Sequence, residues 1–190
     1  MNLQDIKGSY DLIVSLGSAC NPSLQLNRLN LRSFTSSPLD WSYSPFLSDV
    51  NRLLCNKFDG FMEIDNMRLI DDAGNSVYID NNVLEYSNQN IHVQRKSYII
   101  QDARYNTFSA HAFPILQNKH WTATYSTFKR KLNYYRVSRF MKRMMNSESI
   151  LFIRWVAEYE QTVELQSISS KITKGIFKTL ILNPIDNLQS

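Results

Sequence analysis

Cysteine is scarce in this chain: Cys20 and Cys55 are the only two in 190 residues. A multi-disulfide framework is therefore excluded, and in a reducing compartment both read as free thiols. Histidine is nearly as rare, with His92, His111 and His120, and no His/Cys spacing suggests zinc. No metal and no cofactor are expected. No apolar run approaches the roughly 18–20 residues of a membrane helix, so no membrane span is expected. The opening "MNLQDIKGSYD" is charged where a secretory signal needs an apolar core, which points to a cytoplasmic protein. Five glycines and five prolines are scattered without a repeat, a low-complexity tract or an obvious linker. Acidic residues are missing altogether between Ala103 and Ser147.

What remains is ordinary globular material, 43% hydrophobic and 20% charged, of a length that suits one domain over 1–190. The formal charge of +4 is unevenly spread. The acid-free stretch carries nine basic residues, from Arg104 to Arg143, whereas Phe58 to Gln94 holds seven acidic residues against Arg68 alone. Either the two regions face each other or the basic one attracts an anionic ligand.

Three apolar runs at 12–17, 150–156 and 179–183 read as buried strands separated by helices. The helices are expected from near Cys20, over 47–62, between Thr122 and Met145, and over 158–172. In the third, Tyr125, Phe128, Leu132, Tyr135, Phe140 and Met144 form the apolar face. The run 67–80 looks like two short strands around a "DDAGN" hairpin turn, and the β pattern continues to about 113. The expected fold is α/β: a three-layer-like core of parallel strands with helices, carrying an antiparallel insertion at about 65–113.

"YDLIVSLGSAC" at 10–20 places Cys20 after a strand and a glycine, with Asn21 and Pro22 opening a helix. A helix N-terminus stabilises a thiolate through its free N–H groups and its dipole, and the same groups can hold an oxyanion. Gly17 permits the turn. The competing reading makes Cys20 a small buried hydrophobe. Cys55 lies within a helix and reads as structural. A thiol nucleophile needs a base, and His111 in "FSAHAFP" ends a strand that could hold its ring rigidly. Asp40, Asn183 and Asp186 are open as the group orienting it, with Asp40 the first choice; Asp40 equally suits a capping role within "SPLDW". "KRKLNYYRVSRFMKR" at 129–143 has seven basic residues, but its aromatics sit at core spacing, which argues against nucleic acid.

"YDLIVSLGSACNPSLQLNRLNLRSFTSSPLDW" resembles the opening of a bacterial family of unknown function described as papain-like cysteine peptidases. Ser15, Leu16, Gly17 and Cys20 match its Ser-Leu-Gly-x-x-Cys, Leu31 and Arg32 its Leu-Arg, and Pro38, Leu39, Asp40 and Trp41 its Pro-Phe-Asp-Trp loop. Weaker matches are "HAF" at His111–Phe113, Arg136, Arg139 and Phe140 in the basic helix, and "LFIR" ending at Arg154. Leu39 replaces the family's Phe, and Ala112 stands where Asp is expected, beside the candidate base.

The resemblance implies a cysteine hydrolase or acyltransferase acting on a peptide or small acyl or amide substrate. Cys20 would attack as thiolate, His111 would serve as base and acid, and N–H groups around Gly17 and Ser18 would bind the oxyanion. The alternative is a non-catalytic relative that holds an anionic ligand, such as a sugar phosphate or acyl carrier cofactor, through 129–143. Arg136, Arg139 and Arg154 are then the candidate ligand-binding residues. A purely structural interaction domain is the third possibility.

Overall fold

A computed structural model describes residues 3–31, 36–77 and 96–184; Arg32, His92 and Asp186 lie outside them. The three apolar runs become β1 (Leu12–Ser15), β6 (Ser149–Trp155) and β7 (Ile176–Leu182), side by side and parallel in the order β1-β6-β7. The middle strand takes the most buried sequence, with Ile150, Leu151, Phe152 and Arg154 all enclosed. Parallel neighbours require crossovers, and helices supply them. They are α1 (Asn21–Arg28), α2 (Leu47–Cys55) and α5 (Tyr159–Ile172). α5 starts on a Glu158–Gln161 capping box, which satisfies free N–H groups at its first turn. α2 packs on α5, and Asn51 ties them by donating to the Gln161 carbonyl and the Glu164 carboxylate, both at 2.8 Å.

The second sheet is antiparallel, as expected: β2 (Ser42–Tyr43), β3 (Met67–Val77), β4 (Lys96–Asp102) and β5 (Thr107–Pro114), in the order β2-β5-β4-β3. The chain is thus α/β with a parallel and an antiparallel sheet. The hairpin expected at "DDAGN" is absent. β3 runs straight through it, and Gly74 (φ +73°) lies in a bulge where Asp71 pairs with Ile99 but Ser76 already pairs with Ser97. Glycine and polar residues serve a bulge as well as a turn, so composition alone could not separate them. The short β2 joins the sheet through Ser42 opposite Ser109 and Tyr43 opposite Phe108.

The long helix after Pro114 is not uniform. α3 (Tyr125–Arg130) passes into a π-helical segment (Lys131–Val137) and then into α4 (Ser138–Asn146). Phe128, Leu132, Phe140 and Met144 are buried, but Tyr135 is 62% exposed, against expectation. The inward residues recur every fourth position, with Arg136 half-buried in the place that Tyr135 was expected to hold. An α-helix repeats at about 3.6 residues, so a strict spacing of four drifts around it. The wider π turn, with bonds from i to i+5, cancels that drift.

One apolar core joins these parts, with Val14, Leu16, Leu53, Phe140, Phe152 and Leu165 among its fully enclosed members. The acid-rich and acid-free regions do face each other in part. Lys129 pairs with Glu63 at 2.9 Å and Arg104 with Asp59 at 3.1 Å. Among the described residues no helix is long and apolar enough to cross a membrane.

Candidate active site

β1 stops at Ser15 and the chain turns through Gly17 and Ser18, so that Cys20 is the residue capping the N-terminus of α1. The turn is pinned from three sides. Gly17 has φ +70°, and a Cβ there would lie 3.0 Å from the Leu39 carbonyl oxygen. Its own carbonyl accepts from both the backbone N–H and the hydroxyl of Ser44, each at 2.8 Å. The Ser18 hydroxyl accepts from the Trp155 N–H at 2.9 Å, which fastens the turn to the end of β6. Cys20 closes the first turn by accepting from the Leu24 N–H at 3.0 Å. Among the described residues, the N–H groups of Ser18, Ala19 and Cys20 meet no acceptor.

The electrostatics differ from those expected of a helix N-terminus. Cys20 is half-buried, and burial, helped by the nearby Asp40 carboxylate, pushes its thiol from 9.0 up to about 11. That rise disfavours the thiolate by roughly 3 kcal/mol, more than the ~1 kcal/mol an exposed helix N-terminus returns. The resting side chain is therefore a neutral thiol.

Asp40 is wholly buried in the turn after Pro38. The Ser23 hydroxyl of α1 donates to its Oδ1 at 3.1 Å and the Ser37 N–H to its Oδ2 at 2.5 Å. It thus caps its own loop and also lies close enough to act on Cys20 and on Arg139, whose charge it favours against burial. Arg139 reaches the same loop by donating to the Ser36 carbonyl at 2.8 Å.

His111 approaches from the other sheet. The β2–β5 pairing brings the loop preceding Ser42 alongside the strand following Ser109. Trp41 then meets the His111 ring edge to face, with centroids 6.2 Å apart and planes at 83°. The loop 36–41 is flanked by Cys20 on its Asp40 side and by His111 on its Trp41 side. The other candidates sit elsewhere. His120 is exposed and pairs with the Thr122 hydroxyl at 3.0 Å, and Asn183 is bonded to the backbone of Ala157.

Arg154 is not placed as a ligand-binding residue. It is fully buried, and four of its N–H···O contacts go to Val156 O, Leu16 O, Ser44 Oγ and Ser44 O at 2.7–3.1 Å. Burial lowers its pKa to about 10, which still leaves it charged at neutral pH. Its guanidinium is a strut joining β6, the Cys20 turn and the segment leading into α2. Arg136, by contrast, lines a cleft with Trp41, Ser109, Ala112 and Leu132, about 270 Å³ of space counted out to its open mouth. Sequence reasoning missed the Ser23 and Ser44 bonds, whose partners lie 17 and 27 residues away, and the contact of Trp41 with His111.

Over 143 residues, 75% of its length, the chain is 28% identical to "Uncharacterized protein R408" of Acanthamoeba polyphaga mimivirus. That stretch is 60% of the viral protein, so the chain spans less than two thirds of this relative. No solved structure matches the chain. The family model described as "Putative papain-like cysteine peptidase (DUF1796)" matches residues 11–183. With the match running from β1 through β7, the chain belongs to that family.

Proposed function

We propose that this protein is a cysteine hydrolase of papain-like type that cleaves an amide or peptide bond. The observation that carries the reading is the mounting of Cys20: strand, left-handed glycine, then a helix N-terminus with three successive N–H groups that meet no acceptor among the described residues. Because the thiol rests neutral, its proton leaves as it attacks, with His111 as the acceptor. The Cys20 Sγ forms a bond to the substrate carbonyl carbon, and the N–H groups of Ser18, Ala19 and Cys20 bind the resulting oxyanion. Collapse breaks the C–N bond, His111 returns its proton to the departing nitrogen, and a thioester remains. Water, deprotonated by His111, then releases the acid and restores the thiol. Asp40 holds the loop between the two partners, and Trp41 limits rotation of the imidazole. One domain over 1–190 carries all of these groups.

A second reading is favoured by the raised thiol pKa: a non-catalytic relative that uses the basic helix to hold an anion. The deciding experiment is mass spectrometry of the protein after incubation with a peptide aldehyde and, separately, with an activated ester. Hydrolysis expects a Cys20 adduct with each, lost in Cys20→Ser and slowed at least tenfold in His111→Ala. An unmodified Cys20 together with tight anion binding rejects hydrolysis in favour of the second reading.

A further inference from the structure

The cleft beside the proposed site has two unlike linings. Phe61, Met62, Phe128 and Leu132 make one wall apolar, and Arg136 supplies a cation. Arg136 reaches this wall only because of the π-helical segment Lys131–Val137, which keeps Phe128, Leu132 and position 136 on one face and sends Tyr135 to solvent. Single π turns inside α-helices are frequent at functional sites. Trp41 adds an independent sign: it lines the cleft, is 7% exposed, and its indole N–H has no acceptor among the described residues. A buried donor left without a partner is costly, and an occupant carrying an oxygen would relieve it.

The cleft also has a side. Trp41 and Ala112, two of its lining residues, are respectively the ring partner and the chain neighbour of His111. His111 is the group that protonates the departing nitrogen, so the cleft receives the departing half of the substrate.

We propose, resting on the hydrolase reading, that the cleft takes a C-terminal apolar or aromatic amino acid with its free carboxylate. The substrate class is then a peptide or N-acyl amino acid ending in such a residue. The side chain lies against Phe61, Phe128 and Leu132, and the carboxylate meets the Arg136 guanidinium, whose planar fork matches two oxygens. The Trp41 N–H donates to an oxygen of the same residue. The reaction adds water across the amide: the acyl group leaves Cys20 as an acid and the amino acid departs as an amine with its carboxylate intact.

The test is equilibrium binding to the full chain, which needs no chemistry at Cys20. N-acetyl-L-phenylalanine and its carboxamide are titrated calorimetrically into the wild type, Arg136→Gln and Ala112→Asp. The acid is expected to bind about tenfold more tightly than the amide. Arg136→Gln removes that preference, and Ala112→Asp, which brings a competing carboxylate into the cleft, reduces it at least threefold. Equal binding of acid and amide by the wild type overturns the proposal, as does a preference that survives both substitutions. Should Arg136→Gln fail to fold, the Ala112→Asp result decides. A preference for the acid in a protein whose Cys20 forms no adduct keeps the pocket and rejects the hydrolase reading alone.

Discussion

At Cys20 two fields of opposite sign meet. The N-terminus of α1 favours a thiolate, while burial and the Asp40 carboxylate oppose it and prevail. The sequence showed the first field plainly, because a glycine turn followed by Asn-Pro marks a helix start. It could not show the second, because Asp40 comes within reach only through the Ser23 bond and the packing of Leu39 over Gly17. Alkylation of Cys20 by iodoacetamide is therefore expected to climb steadily to about pH 11, with no plateau near neutrality. A pH–rate profile that levels off below pH 9 contradicts the geometry. Asp40→Asn should raise the rate at pH 8, since it removes one of the two causes of the elevated pKa. It should also cost about 1–3 kcal/mol of stability, read from urea unfolding, as its bonds to Ser23 and Ser37 weaken.

Among the elements, the strands were the most legible. Runs such as "SILFIRW" are apolar at nearly every position, and only a buried parallel strand uses such a run at that length. β3 was not, since "DDAGN" carries turn residues into a bulge. The π-helical segment was hidden for a different reason. In "LNYYRV" a period of 3.6 selects Tyr135 and a period of four selects Arg136, and both residues are amphipathic enough to suit either face. The structure separates them, and denaturation can check it. Tyr135→Ala should change stability by no more than about 0.5 kcal/mol, whereas Phe140→Ala should cost about 3–5 kcal/mol. Comparable losses at the two positions would mean that the helix keeps an unbroken α period.

Across the whole molecule, Arg154 governs how the parts stay in register. Its guanidinium gathers carbonyls from Leu16, Ser44 and Val156, which belong to three separate stretches of chain. The family-like "LFIR" made this residue conspicuous in the sequence, but its burial at 0% exposure reverses the role that a conspicuous arginine suggests. Arg154→Met keeps the side-chain volume and strands those oxygens without a donor, for an expected loss of about 3–5 kcal/mol in equilibrium unfolding. A loss below 1 kcal/mol would show that water replaces the guanidinium.

β1 pairs with β6 alone, Leu12 opposite Ile150, across 138 residues of chain. During synthesis the Cys20 turn therefore has nothing to dock on until Trp155 has been made. At roughly 5–20 residues per second that interval lasts about 7–27 seconds. Throughout it the thiol keeps its ordinary acidity and carries roughly a hundred times more thiolate than in the finished fold. Cys20 is thus most open to oxidation while the protein is being born, and completion of the parallel sheet is what brings that exposure to an end.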